Sequence, residues 1–98
     1  MSGSMRVAAL EIRLQLPGVR SLKEKRSIVK GLLARVRQRF EVAAAEVGDL
    51  DAWSLASLGF CAVGNDAGVL QSRLGQVVEF VSRSGDGFIL DYRVEVIA

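Results

Sequence analysis

The segment Arg6-Val7-Ala8-Ala9-Leu10-Glu11-Ile12-Arg13-Leu14-Gln15-Leu16-Pro17-Gly18-Val19-Arg20-Ser21-Leu22-Lys23-Glu24 changes its hydrophobic period midway, and that change decides the fold. Over residues 6–16, Ala8, Leu10, Ile12, Leu14 and Leu16 point one way and Val7, Ala9, Glu11, Arg13 and Gln15 the other. Period two over this length predicts a strand with one face on a core. Pro17-Gly18 ends it, because proline lacks the ladder donor and glycine permits a turn. Ser21-Leu22-Lys23-Glu24 is a capping box: the Ser21 hydroxyl is expected to accept from the Glu24 amide and the Glu24 carboxylate to reach back to Ser21. A helix to about Arg39 follows, with Leu22, Ile28, Val29, Leu32, Leu33, Val36 and Phe40 as its buried stripe at spacings of three and four.

The same reading extends to the C-terminus. Glu41 to Val47 is a short strand, Gly48-Asp49-Leu50-Asp51 a turn, and Leu55 to Val63 an apolar run that reads as a central strand. Gly64-Asn65-Asp66 supplies breaker and cap residues for a second helix from about Asp66 to Arg83, with Leu70, Leu74, Val77 and Val81 inward. Ser84-Gly85-Asp86-Gly87 is a turn. Phe88 to Ile97 alternates, with Phe88, Leu90, Tyr92, Val94 and Val96 expected on one side and Asp91, Arg93 and Glu95 on the other. The order βαββαβ is the split βαβ arrangement of an α+β domain. Right-handed crossovers put both helices on one face of a four-stranded antiparallel sheet of order 4-1-3-2, and leave the other face bare.

A chain of 98 residues is one domain. Residues 1–4 read as an expression-tag remnant and 5–98 as the domain. There is no apolar run of the ~20 residues a membrane helix needs, and no secretory leader is legible. With no histidine, imidazole catalysis and histidine–metal sites are excluded; with one cysteine, Cys61, so are internal disulfides and thiolate clusters. A reducing cytoplasm is the expected compartment. Cys61 itself is expected to be a small buried residue of its strand.

Charge is unevenly placed. Arg20, Lys23, Lys25, Arg26, Lys30, Arg35, Arg37 and Arg39 fall in one segment whose only acid is Glu24, so the formal net charge of +2 conceals a basic helix on an otherwise acidic chain. At 100° per residue, Lys23, Arg26, Lys30 and Arg37 lie within a band of about 60° on one flank of the apolar stripe, and Lys25, Arg35 and Arg39 on the opposite flank. A row of like charge repels itself unless an anion offsets it, and a nucleic-acid backbone is the commonest polyanion in a cytoplasm. The alternative is that these side chains cover the helix flanks and keep the protein soluble.

Other features are weaker. Ser27, Gly31 and Ala34 on the first helix and Gly68, Ser72 and Gly75 on the second make plain outer ridges, open to close approach or to drift. The loop Pro17-Gly18-Val19-Arg20 precedes a helix N-terminus and offers amides to a phosphate. It is similar only in outline to the anion cradle of acylphosphatases: Gln15 and Gly18-Val19 are misplaced for that pattern and the central strand has no asparagine before Asn65. Glu46, Asp49 and Asp51 have the groups for Mg²⁺ but read as solvated turn carboxylates. Trp53 offers a base-stacking ring, or covers a core edge. The bare sheet face lacks the aromatic pair of an RNA-recognition motif.

Leu16-Pro17-Gly18-Val19-Arg20-Ser21-Leu22-Lys23-Glu24-Lys25-Arg26 resembles the first signature of the YlxP-like family of small bacterial proteins. Ala44-Ala45-Glu46-Val47-Gly48 with Asp51 and Trp53 resembles the second, and Val63-Gly64-Asn65-Asp66 the third. The likeness runs from about Met5 to Ile97 with order and spacing kept. It implies a ferredoxin-like domain without established catalytic activity, from genes commonly placed beside translation initiation and ribosome-binding factors. The expectation is therefore a non-enzymatic cytoplasmic protein that binds rRNA or a ribosomal subunit. Arg20, Lys23, Lys25, Arg26, Lys30 and Arg37 would meet phosphates, with no catalytic residue, metal or cofactor. The alternative is a homodimeric module pairing through the open sheet face or the Glu41–Val47 edge strand.

Overall fold

The computed structural model describes residues 4–98, so residues 1–3 of the expected tag remnant lie outside the described residues. The elements run β1 (Arg6–Gln15), α1 (Leu22–Arg39), β2 (Ala43–Gly48), β3 (Leu55–Gly64), α2 (Ala67–Arg83) and β4 (Phe88–Val96). The strands form one antiparallel sheet of order β2-β3-β1-β4, the expected order read from the other edge. β2 starts two residues later than its composition suggests. Phe40 still closes α1 through its N–H to the Val36 carbonyl, and Val42 donates to the Phe40 carbonyl, so sheet pairing begins only at Ala43 opposite Cys61.

The helix caps form as the sequence implies, with one shift. Ser21 Oγ accepts from the Glu24 amide at 3.0 Å, but the Glu24 carboxylate accepts from the N–H of Arg20, at 3.2 Å, rather than from that of Ser21. Asp66 caps α2 by accepting from Gly68 and Val69. Gly18, at φ +80, makes the left-handed turn between β1 and α1 that a β-carbon would disfavour.

The core lies between the helices and one face of the sheet. Ala8, Leu10, Ile12, Leu14 and Leu16 meet Ala56, Leu58, Phe60 and Ala62 from β3, Val29, Leu32, Leu33 and Val36 from α1, and Leu70, Leu74, Val77 and Val81 from α2. Burying each larger side chain is worth roughly 1.5–3 kcal/mol relative to leaving it exposed.

Two bulges change which side chains reach that core. In β4 the register slips: Leu14 pairs with Ile89 but Arg13 with Asp91, leaving Leu90 as the extra residue. An inserted residue reverses the inside–outside alternation beyond it. Ile89 therefore packs on the core, while Phe88 pairs with Gln15 on the helix-free face and is exposed, as is Leu90. This corrects the side expected of Phe88 and the regular place expected of Leu90, whereas Tyr92, opposite Ile12, keeps the side of Val94 and Val96. In β2 the extra residue is Val47, between Glu46 opposite Leu58 and Gly48 opposite Ser57. Val47 leans across β3, where a β-carbon on Gly59 would stand 2.8 Å from its Cγ1.

The end of β1 pairs with the starts of β3 and β4, since Gln15 lies opposite both Leu55 and Phe88, and the end of β2 lies opposite Ser57. Hence the connections 16–21, 49–54 and 84–87 gather at one pole of the sheet, where α1 also begins.

Candidate functional site

The two flanks of α1 have different fates. On one, Arg35 pairs with Asp86 of the turn before β4. Arg39 lies 5.9 Å from the Phe40 ring centroid and 5.6 Å from that of Phe80, in cation–π range of two rings packed edge to face. That flank faces α2 and its positive charge is answered within the molecule.

The other flank runs beside β2, the edge strand. Arg37 fixes the orientation by donating from Nη1 to the Ala44 carbonyl at 2.9 Å. Ahead of it on the same flank, Lys23, Arg26 and Lys30 are exposed and have no ion-pair partner among the described residues. Arg20 continues the row at the helix start; its backbone N–H is used by Glu24 but its guanidinium is exposed and unpaired. The first helix thus presents an uncompensated cationic edge, stretching roughly 20 Å from Lys23 to Arg37 at 1.5 Å per residue.

Lys25 is not part of that edge. Its side chain is fully buried, with Nζ 2.9 Å from Glu46 Oε2 and donating to the Asp49 carbonyl at 2.5 Å. A lysine so enclosed cannot reach a phosphate, which corrects its place among the expected nucleic-acid contacts. The signal was in the spacing: Lys25 precedes Val29, Leu32 and Val36 at helical intervals and shares their stripe. At 100° per residue Lys25 falls near the centre of that stripe, between Arg35 and Arg39 on one side and Lys23 on the other.

The carboxylates near it are equally divided in role. Glu46 is in β2, on the side of Leu58, with its side chain 16% exposed; Oε2 has the ammonium beside it but no aligned hydrogen bond. It is therefore no solvated turn carboxylate, and its contact with Lys25 is chiefly Coulombic. Asp49 adopts φ 55, a left-handed conformation that aspartate tolerates, and its carboxylate accepts from Ser57 Oγ at 2.6 Å. Asp51 is exposed. These three do not converge, and among the described residues no group of three acids or cysteines is placed to hold a metal ion.

The helix-free sheet face carries small residues near its centre. A shallow depression of about 500 Å³ is lined by Ala9, Ala43, Ala45, Gly59 and Cys61, with Val47, Arg93 and Glu95 at its rim. Cys61 lies in it and is exposed, contrary to the burial its apolar strand suggested. The reason is parity: Cys61 pairs with Ala9 and Ala43, both on the helix-free face, whereas its neighbours Phe60 and Ala62 face the helices. Trp53 is not one of the buried core residues and is about half exposed, which leaves one part of its ring covered and the other open to solvent. A β-carbon on Gly75 would meet nothing within 4 Å, so no internal contact requires glycine on the outer ridge of α2. Among the described residues no helix is long and apolar enough to cross a membrane.

Residues 7–94 match the family described as Protein of unknown function (DUF503). The chain is similar to the Uncharacterized protein YlxP of Bacillus subtilis (strain 168), with 38% identity over 61 residues that cover 62% of this chain and 66% of that relative. In three dimensions it is similar to the De novo designed protein Foldit4, at a TM-score of 0.56 and 11% identity over 96% of this chain and 97% of that one. The structural likeness concerns the fold alone.

Proposed function

We propose that this chain, which belongs to the DUF503 family, is a non-enzymatic binding protein that meets RNA phosphates, on or around the ribosome, through Arg20 and the outer flank of α1. The observation that carries this reading is the asymmetry of α1. Arg35 and Arg39 have partners inside the molecule, whereas Lys23, Arg26 and Lys30 stand exposed and unpaired along the sheet edge. Uncompensated like charges in a row cost stability in the free protein and are offset when a polyanion binds. Phosphate contacts give affinity and register without reading sequence. The translation-operon setting implied by the signatures points to the ribosome as the source of that RNA.

The test is co-sedimentation with ribosomal subunits. Lys23→Glu, Arg26→Glu and Lys30→Glu together should abolish association; a folded triple variant that still co-sediments overturns the reading.

The depression around Cys61 favours a second reading, a homodimer formed through the helix-free face. The β2 edge is a poorer surface for it, because edge pairing would bring two rows of unpaired cations together. Light scattering over a dilution series, with and without RNA, separates the two: a stable dimer without RNA affinity supports the second.

A further inference from the structure

We infer that the nucleic acid bound is single-stranded, with bases stacked on Trp53 and Phe88 at the loop pole and the backbone continuing onto Arg20, Lys23 and Arg26. This rests on the phosphate-binding reading above and specifies the class of strand it takes.

Trp53 is 53% exposed and Phe88 65% exposed, and neither is one of the buried core residues. Two aromatic rings left in water at one end of a small domain are an unusual expense for the fold and a common feature of binding surfaces. Pairing places their chain segments at one end of the sheet. Ser54, next to Trp53, accepts from the Leu16 N–H at 2.8 Å, and Leu55 and Phe88 flank Gln15 on either side of β1. The backbone of these two segments therefore brackets the end of β1, with Phe88 and the start of β3 roughly 10 Å apart across two strand spacings. The chain leaving β1 at that point leads within a few residues to Arg20 and then Lys23.

The two aromatics and the start of the cationic track thus share one pole of the sheet, with Phe88 on the helix-free face and the cations on α1. A single strand needs both, since its bases have free π faces and its backbone carries the charge. A duplex hides its base faces and would use only the cations. The pole's carboxylates fit the same division. Asp49 is engaged by Ser57, Asp86 by Arg35 and Glu24 by the Arg20 N–H, leaving Asp51 as the one beside Trp53 without such a partner among the described residues. A free carboxylate there disfavours a phosphate but not a stacked base.

Trp53 is the only tryptophan, so its emission reports on this place alone. Titrating labelled oligouridine of about twelve nucleotides, within the usual site size for single-strand binders, should quench it. Trp53→Ala and Phe88→Ala should each weaken oligouridine binding about tenfold by fluorescence anisotropy. Both should leave the urea midpoint and the affinity for a matched RNA duplex unchanged. If both variants bind oligouridine as the parent does, or the duplex binds as tightly as the single strand without quenching, the inference fails and the cationic reading stands. If neither RNA binds at low salt, both fail.

Discussion

Lys25 Nζ and Glu46 Oε2 stand 2.9 Å apart beneath the first turn of α1, with the ammonium fully withdrawn from solvent. The same ammonium donates to the Asp49 carbonyl, so one buried cation ties α1 to the end of β2 and to the loop that carries Trp53. A pair of this kind contributes little over an apolar replacement, but removing one member strands the other charge. Lys25→Ala should therefore destabilise by about 3 kcal/mol, near the low end for buried pairs because Glu46 is partly exposed. Lys25→Met with Glu46→Leu should recover most of that loss. Urea denaturation of the four-member cycle measures it; additive losses would show that the two side chains do not interact.

If the proposed RNA binding runs along the cationic edge, that edge sets its salt dependence. Four contacts, from Arg20, Lys23, Arg26 and Lys30, give a slope of log K against log salt of about −3 on a single strand. Arg26→Ala should reduce its magnitude by about 0.7. Lys25→Met should leave the slope unchanged, since Lys25 is buried in the ion pair. Anisotropy titrations at several salt concentrations read both.

Close approach explains the glycine in the middle of β3. Gly59→Ala places its new carbon 2.8 Å from Val47 Cγ1 and should cost about 1–3 kcal/mol by overpacking. In a Val47→Ala background the same change should be near neutral. Thermal melts of the single and double variants decide whether the Val47 contact is the cause.

Cys61 is exposed on the helix-free face. In a monomer its thiol should react with a chromogenic disulfide reagent at a rate within a few-fold of that in the denatured chain. Protection that grows with protein concentration would instead favour the face-to-face dimer. The measurement needs no variant, because this is the sole cysteine.

Asp51 is exposed, two residues before Trp53, and its charge would oppose phosphates of a strand stacked there. Asp51→Asn should raise affinity for oligouridine by about two- to fivefold, the size of an exposed charge pair of about 0.2–1 kcal/mol. The gain should shrink at high salt as screening takes over.

Much of the architecture was legible because periodicity reports which face of an element is buried. The alternation of Ala8 to Leu16, the capping serine at 21 and the apolar spacing of Val29 to Val36 lead directly to the observed β1, cap and α1. The candidate site was legible only as charge. Lys23, Arg26 and Lys30 fell on one flank by arithmetic, and the structure leaves them exposed there. Arg35 and Arg39 look equivalent to them in the sequence and differ only because Asp86, Phe40 and Phe80 arrive from elsewhere in the chain.

The sequence by itself determined the order of elements, the sheet topology and the core faces of β1 and α2, since these follow from local hydrophobic period and chain-crossover handedness. Tertiary structure alone decided the partners of Lys25, the outward turn of Phe88 and the different fates of the two flanks of α1. Those depend on a partner from a distant segment, or on where a bulge inserts one residue and reverses every side chain beyond it, and neither is encoded in the period of the strand or helix concerned.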